Sequence, residues 1–345
     1  MRFLWTLIAL AWASISLAQT PNSIEAVEYD PDANRWFVSN GSSLLVTENQ
    51  GLDWQFFGEA QASHGMEVLN GVLYAIGNNV IRAYNLTSAE QIGSLSIPGV
   101  GFLNGMGSHS DGLLVVSDFY NDRIYTVDVS EPDQMNYSLL AGNFGSTPNG
   151  IVVDEANFRA VVVCWGNNAD ILSVDMESGE VTPLVNGTGL GNLDGVDMDG
   201  DGRFYVSSWS PTRVTRYTAD FSDSETVLTS SAGLSSPADI SYAVEIDTLG
   251  IANSGNDNVT FHGFGTSAIG AQQGLDWAAS RRDGQLYVTL PYSEDVAVTI
   301  MDATGRQVWE RKEYLPAGRT LFPISAVPAA GLIVVECAGT TMVIR

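Results

Sequence analysis

Basic residues are scarce in this 345-residue chain. It has 15 lysines and arginines against 40 aspartates and glutamates, Lys312 is the only lysine, and the formal net charge is −25. Nucleic-acid-binding proteins need a basic surface that displaces counterions from phosphates, so the composition argues against that class. The Gly-rich phosphate loop of nucleotide-binding proteins is excluded as well, because its lysine has no match around Lys312.

Cysteine and histidine are also rare, with two cysteines and three histidines. Cys164 lies in a predicted strand, where a buried thiol is favoured over half of a disulfide with Cys337. No HExxH, CxxC or similar compact spacing indicates a transition-metal site. A serine-hydrolase triad is disfavoured because the chain lacks the G-x-S-x-G motif.

Long apolar runs are absent except at the N-terminus. Arg2, the run Phe3 to Ala13 and the small residues Ser16 to Ala18 predict a secretory signal peptide over residues 1–18. A transmembrane anchor is the alternative, but the run is short for a span and has no stop-transfer flank. We therefore expect an exported protein that does not span a membrane.

A pattern occurs six times between residues 19 and 265: a short segment of small or apolar residues, then a turn, then a strand in which apolar and polar residues alternate. The six positions that set its period, called anchors below, are Glu25, His64, Asn104, Asn149, Asp194 and Asp239. Their spacings are 39, 40, 45, 45 and 45 residues, close to the length of a four-stranded propeller blade. Because no long stretch shows helical periodicity, we predict an all-β, six-bladed propeller over residues 19–265.

The blade pattern ends near residue 265. Gly263 to Gly274 is rich in Gly, Ala, Ser and Gln, and residues 266–273 within it are predicted to form a linker. Six short strands separated by Gly or Pro turns follow in residues 274–345. Strands of this length and number predict a small Ig-like β-sandwich.

The anchors are all oxygen or nitrogen ligands. Since the inner strands of a propeller converge on a central channel, we expect these side chains to meet at one end of its axis. A ring of carboxylate and amide oxygens suits a hard divalent cation such as calcium.

Plainer interpretations of the anchors remain open. Asn149-Gly150 and Asp194-Gly195 are also typical of tight turns. His64 is either a channel-lining residue or a structural histidine. Asp239 is a further channel-lining candidate, although its register is shifted by one residue if Pro237 is the counterpart of Pro148.

The anchor motifs resemble those of the senescence marker protein/gluconolactonase family of six-bladed propellers, which includes regucalcin-like lactonases. The motifs are Ile24-Glu25-Ala26-Val27, Asn104 with Gly112, Pro148-Asn149-Gly150 and Leu193-Asp194-Gly195. The resemblance implies that Glu25, Asn149 and Asp194 hold a divalent metal, calcium in our interpretation, and that Asn104 contacts it directly or through water. It also implies hydrolysis of a sugar lactone, in which the metal polarises the carbonyl and Asp194 activates water.

The chain departs from that family at two points. The family's Glu-Gly-Pro-x-Trp motif is replaced by a different sequence from Glu25 to Tyr29, and Phe102 stands where the family commonly has a substrate-binding arginine. Two function classes therefore stay open. One is a secreted lactonase-like hydrolase, and the other is a non-catalytic module that binds a glycan, peptide or protein partner.

The C-terminal residues resemble the sorting domain of type IX secretion cargo. The resemblance is carried by Val298 to Val308, Leu321 to Val327 and Ala330 to Val335, although Ile333 replaces an aromatic residue usual in the family. It implies export through the periplasm by the type IX machinery, followed by release or attachment at the cell surface. An unrelated extracellular Ig-like module is the alternative.

A second calcium-loop candidate opens at Asp197 and runs to Gly202. Position twelve of an EF-type loop falls on Ser208 rather than on the bidentate Glu that such loops use. A β-hairpin turn is therefore the favoured interpretation.

Overall fold

The computed structural model describes residues 18–264, 278–282, 285–290, 294–301, 306–315, 318–323, 332–337 and 340–344. The predicted signal peptide up to residue 17 and the predicted linker lie outside these ranges. In the described part the regular structure is β-strand, apart from the 3₁₀ turns Glu155–Asn157 and Ser230–Ala232. The prediction of an all-β chain is confirmed. No helix of these ranges is both long and apolar enough to cross a membrane.

Six antiparallel sheets follow one another between Val27 and Gly263, and in each the strands are paired in chain order. Sheets 1 to 5 have four strands and sheet 6 has three. The strands of sheets 1 to 3 are β1 (Val27–Asp30), β2 (Arg35–Asn40), β3 (Ser43–Thr47), β4 (Gln55–Phe56), β5 (Met66–Leu69), β6 (Val72–Gly77), β7 (Val80–Asn85), β8 (Gln91–Ser96), β9 (Leu103–His109), β10 (Leu113–Asp118), β11 (Arg123–Asp128) and β12 (Asn136–Gly142). Those of sheets 4 to 6 are β13 (Thr147–Asp154), β14 (Arg159–Trp165), β15 (Ile171–Asp175), β16 (Val181–Val185), β17 (Gly191–Met198), β18 (Phe204–Ser210), β19 (Thr212–Tyr217), β20 (Ser224–Thr229), β21 (Pro237–Ala243), β22 (Thr248–Asn253) and β23 (Asn258–Gly263).

Hydrophobic clusters lie between neighbouring sheets and close the series into a ring. Each of six clusters joins one sheet to the next, and one of them joins sheet 6 to sheet 1. Trp36 of β2 is central to this closing cluster, since its ring packs 4.9 Å from that of Phe261 in β23. A Cβ on Gly250 of β22 would lie 2.5 Å from the Trp36 ring, so only glycine leaves room for the indole.

The loop from Asp199 to Arg203 joins β17 to β18 as a hairpin. The Asp199 carboxylate accepts hydrogen bonds from the backbone N–H groups of Asp201 and Arg203, both at 2.9 Å. It also accepts one from Nε of Arg203 at 2.7 Å. The hairpin prediction is therefore confirmed, and the Arg203 guanidinium balances the charge of Asp199.

Two further sheets lie in the C-terminal part. One is formed by β24 (Ala278–Arg282), β25 (Gln285–Leu290) and β28 (Gly318–Pro323), and the other by β27 (Gln307–Leu315), β26 (Glu294–Met301), β29 (Leu332–Cys337) and β30 (Thr340–Ile344). A single hydrophobic cluster contains residues of both sheets, among them Val288 and Val298. The sequence pattern did not indicate β24, and the Ig-like topology stays a prediction.

We expect Trp36→Ala to lower the free energy of unfolding by about 3–5 kcal/mol, because it opens a cavity where sheets 1 and 6 meet. Trp36 is only 2% exposed. Leu52→Ala is the control, since Leu52 is 86% exposed and should change stability little. Urea denaturation of both variants tests the ring closure, and equal stabilities would contradict it.

Candidate functional site

The anchors of sheets 3, 4 and 5 lie near the starts of the innermost strands, in β-bulges, whereas Glu25 and His64 precede β1 and β5. In sheets 3 to 6 the pairing of the first strand with the second shifts so that two residues oppose one. Asn104, Asn149 and Asp194 are each the first residue of such a pair. Bulges redirect side chains and are frequent beside functional sites. Here they bring residues about 45 positions apart in sequence into contact.

Strand register corrects one anchor. In sheet 6 the bulge contains Ala238 and Asp239, because Pro237 pairs with Asn253 and Ile240 with Ile251. Ala238 is therefore the counterpart of Asp194, and Asp239 takes the place held by Gly195 in sheet 5. The placement of Asp239 as an anchor was wrong by one residue, in the direction that Pro237 indicated.

The glycines after the anchors are required by close approach of the strands rather than by turns. Gly150 and Gly195 lie within β13 and β17. A Cβ on Gly105 would lie 2.1 Å from the carbonyl oxygen of Asn149, and one on Gly150 would lie 2.3 Å from that of Asp194. The tight-turn interpretation of the Asn-Gly and Asp-Gly pairs is wrong.

A chain of hydrogen bonds joins three of the predicted ligands. Asn104 Nδ2 donates to Asn149 Oδ1 at 2.5 Å, and Asn149 Nδ2 donates to Asp194 Oδ1 at 3.0 Å. All three residues are buried. The bulges of sheets 3, 4 and 5 thus place two amides and one carboxylate side by side.

Glu25 lies close enough to this chain to act on it electrostatically. Burial raises the pKa of Asp194 well above its ordinary value, and the charges of Glu25 and Asp239 raise it further. Burial also raises the pKa of Glu25 to about 7. The backbone N–H of Asp239 donates to the carbonyl oxygen of Glu25 at 3.0 Å, which joins sheet 6 to sheet 1 at this point.

Buried serines of the second strands hold the bulges in place. Ser117 Oγ accepts a hydrogen bond from Gly105 N and donates one to the carbonyl oxygen of Asn149, each at 2.8 Å. Ser207 makes the equivalent pair of bonds between sheets 5 and 6. In sheet 1, Ser39 accepts from two backbone N–H groups. Sequence reasoning missed these serines, because their role depends on pairing register.

A second group of acids lies deeper, three residues after the anchors. Glu28, Glu67 and Asp197 contribute to a cavity of about 270 Å³ that is lined by residues of all six sheets. Burial raises the pKa of each carboxyl, that of Asp197 to about 7. Ser108 Oγ donates to Glu67 at 2.7 Å, and the backbone of Tyr242 donates to Asp197 at 2.5 Å. Protein surrounds these acids, although they keep some solvent-accessible surface because they line a channel.

His64 lies at the same end as the other anchors but is electrically neutral. Burial lowers its pKa to about 4, and its Nδ1 is 2.9 Å from Ser63 Oγ. Its ring packs edge-on against Phe102, with 4.7 Å between centroids. His64 is therefore not a general base with a pKa near 7.

Aromatic rings continue from Phe102 along the ends of sheets 3, 4 and 5. This aromatic arc consists of Phe102, Phe119, Tyr120, Trp165 and Trp209. The centroid distances are 5.3 Å from Phe102 to Tyr120, 5.8 Å from Phe102 to Phe119, 6.1 Å from Phe119 to Trp165 and 5.0 Å from Trp165 to Trp209. The arc begins and ends beside anchor residues. At the Trp209 end, the indole lies near enough to Asp194 to lower the pKa of the Asp194 carboxyl. Phe119, Trp165 and Trp209 recur at spacings of 46 and 44 residues, close to the spacing of the anchors, but sequence reasoning singled out only Phe102, as a departure from the family pattern.

The predicted ligands have the right chemistry for a calcium ion. Glu25, Asn104, Asn149 and Asp194 supply carboxylate and amide oxygens, which are the donors that calcium prefers. Two carboxylates with raised pKa values also lie near each other, and a cation would relieve their repulsion. In the described ranges no three or more His, Cys, Asp or Glu side chains form a metal-binding group, so a site here depends on the amides.

Comparisons with known proteins identify the fold. The sequence matches no protein-family model and no curated protein. Among solved structures, the chain is similar to a structural genomics protein of unknown function from Bacteroides thetaiotaomicron, with a TM-score of 0.56 and 11% identity over 70% of this chain and 69% of that one. It is also similar to a chain of the nidogen/laminin complex, with a TM-score of 0.51 and 13% identity over 83% and 97% of the two chains.

A third similar structure is a catalytically inactive virginiamycin B lyase from Staphylococcus aureus with quinupristin. Its TM-score is 0.51 at 13% identity, over 80% of this chain and 94% of that chain. At these identities the similarity shows the fold alone. That fold is a β-propeller.

The buried acids make stability depend on pH in a defined direction. Asp197 has a pKa of about 7 in the folded protein against an ordinary value of 3.8. Between these values the folded state keeps a proton that the unfolded state releases, so stability falls as pH rises from about 4 to about 7. We expect Asp197→Asn to flatten this fall in Tm, measured in EDTA, whereas the exposed control Asp133→Asn should behave as wild type. An equally steep fall in both variants would contradict the burial account.

Proposed function

We propose that the chain is a six-bladed propeller whose six sheets are its blades, and that it acts as an exported, calcium-dependent hydrolase of the sugar-lactone lactonase type. The observation that carries the proposal is the hydrogen-bonded chain of Asn104, Asn149 and Asp194, with Glu25 beside it. These four residues match the ligand set of the senescence marker protein/gluconolactonase family in order and in type.

Calcium bound by these four residues would polarise the carbonyl oxygen of a lactone. Asn149 fixes the orientation of the Asp194 carboxylate through its bond to Oδ1. Burial raises the pKa of Asp194, which makes its carboxylate a stronger base. In the proposed reaction Asp194 removes a proton from water as the water oxygen bonds to the carbonyl carbon. The ring C–O bond then breaks and its oxygen takes up the proton, which gives a hydroxy acid.

The departures limit what can be carried over from that family. Phe102 cannot bind substrate oxygens as the family's arginine does, because it has no hydrogen-bond donor. Its ring instead begins the aromatic arc, and the arc favours a second candidate function. In that candidate the chain is a non-catalytic propeller that binds an extracellular glycan, peptide or protein at the end of the channel where the anchors lie, called the mouth below. In that case the anchor side chains form the polar floor of the binding site, that is, the hydrogen-bonding groups beneath the ligand.

For the C-terminal residues we propose the role of a type IX sorting domain. Support comes from the sequence resemblance and from the two sheets that share one hydrophobic cluster. On this proposal the mature protein is released from the cell or held at its surface.

We expect Asp194→Asn to abolish calcium binding by the full chain, because it removes one of two carboxylates from the proposed ligand set. Titration calorimetry measures the binding, and a sugar-lactone hydrolysis assay measures the activity. Asp133→Asn serves as the control for the loss of one negative charge. Full calcium binding and full activity in Asp194→Asn would refute the proposed mechanism.

We expect removal of residues 274–345 to block secretion in the native host while the remaining chain stays soluble. Immunoblotting of medium, surface and periplasmic fractions makes the measurement. Normal secretion of the truncated chain would refute the sorting role.

A further inference from the structure

The aromatic arc is separate from the packed interior. None of its five rings belongs to the hydrophobic clusters that join the sheets. Tyr120 is 72% exposed, and the other four are half-buried. Packing between sheets does not explain why five large aromatic side chains lie together at one end of the ring.

Within the described ranges no arginine or lysine lies over the faces of these rings. The arginines that lie over aromatic rings in the described part use other rings: Arg35 lies over Phe37 and Phe57, Arg159 over Phe204 and Phe221, and Arg216 over Tyr205. Neighbouring arc rings meet mostly edge to face, at angles near 80° for Phe102–Phe119, Phe119–Tyr120 and Trp165–Trp209. The arc therefore presents ring faces in several directions along a curved line.

Polar groups that can bind hydroxyls lie at both ends of the arc. At one end Phe102 precedes Asn104, whose amide belongs to the hydrogen-bonded chain. At the other end lies Trp209, whose buried indole N–H makes no hydrogen bond of normal geometry although it is close enough to Asp194 to affect its pKa. A buried donor without a good acceptor is costly, and a ligand oxygen would relieve that cost after a small movement of the ring.

We propose that the aromatic arc is a carbohydrate-binding platform, on which successive sugar rings of an oligosaccharide stack while the anchor amides and Asp194 bind the hydroxyls of the innermost sugar. The apolar C–H faces of sugars complement electron-rich aromatic faces. Their hydroxyls complement amide and carboxyl groups that already exchange hydrogen bonds. A line of rings across three sheets suits a chain-like ligand rather than a single monosaccharide.

A basic peptide is the competing ligand, since the protein is strongly acidic. The sugar chain is favoured because two of the polar groups beside the arc, the side chains of Asn104 and Asn149, are neutral amides, and because Asn149 already balances part of the Asp194 carboxylate by donating to it. The inference rests on the proposal that this mouth is the functional face, but it requires neither turnover nor a bound metal.

The test is a printed glycan array probed with the full chain in EDTA. Intrinsic tryptophan fluorescence titration with the best soluble oligosaccharide from the array then gives affinities. We expect Tyr120→Ala and Trp165→Ala each to weaken binding by about tenfold, a loss comparable to one aromatic contact. Tyr120→Phe should keep most of the affinity, because it keeps the ring. Tyr137→Ala is the matched control, since Tyr137 is 40% exposed on β12 and outside the arc.

Binding that is lost in the arc variants and kept in Tyr137→Ala supports the platform. Absence of binding to every glycan, equal affinities in all variants, or binding to a basic-peptide array instead would overturn it. Tyr120 is exposed enough that its substitution should not unfold the protein, so its result decides the matter if Trp165→Ala is unstable. Glycan binding in EDTA without calcium-dependent hydrolysis would refute the proposed enzyme alone, and hydrolysis without glycan binding would refute the platform alone.

Discussion

The close approach of the innermost strands is the constraint on which the rest of this structure depends. At the start of each strand the neighbouring backbones are so near that a Cβ at Gly105 or Gly150 would fall within 2.4 Å of the next strand's carbonyl oxygen. The two-residue bulges resolve this crowding, because one residue directs its side chain inward and the next has none. Sheet 6 reverses the order, with Ala238 first and Asp239 second.

That geometry forces polar side chains into a narrow space with few positive charges to balance them. Glu25 and Asp194 lie at the level of the anchors, and Glu28, Glu67 and Asp197 lie three residues deeper. Asp239 is one residue beyond the anchor position and lines an inner cavity with the deeper acids. The pKa values of these acids are raised by burial first and, for several of them, by mutual repulsion as well. Such a channel either holds protons or binds cations, since unpaired buried charges are costly. The predicted calcium site and the predicted pH dependence of stability have the same cause, which is the concentration of buried carboxyl groups in the channel.

The sequence was informative about features that repeat along the chain. It was uninformative about features that depend on the register in which neighbouring strands pair. The spacing from Asn104 to Asn149 to Asp194 indicated both the repeat and the meeting of these side chains, because each blade places its first strand alike. The one-residue shift at Asp239 needed the register of β21 against β22 to be settled. The serines that brace the bulges carry no signal of their own, since serine is common at strand ends.

The aromatic arc follows the repeat only in part. Phe119, Trp165 and Trp209 lie at or just after the ends of the second strands of sheets 3, 4 and 5, at spacings of 46 and 44 residues, but each alone is an ordinary aromatic residue at a strand end. Phe102 and Tyr120 have no counterpart in the other sheets of the arc. The sequence pattern places the deeper acids Glu28 and Asp197 in an altered motif and in a loop. Only the fold shows that they share a channel.

Terbium luminescence is a direct test for a cation site at the anchors, because terbium replaces calcium at oxygen-ligand sites and is excited by a nearby indole. Trp209 lies beside Asp194, so the account predicts sensitised emission from the full chain that is displaced by calcium and strongly reduced in Trp209→Phe. Trp54 is buried in the hydrophobic cluster between sheets 6 and 1, so Trp54→Phe should leave the emission unchanged. Emission that is absent, or that persists undiminished in Trp209→Phe, would contradict a cation site at the mouth of this propeller.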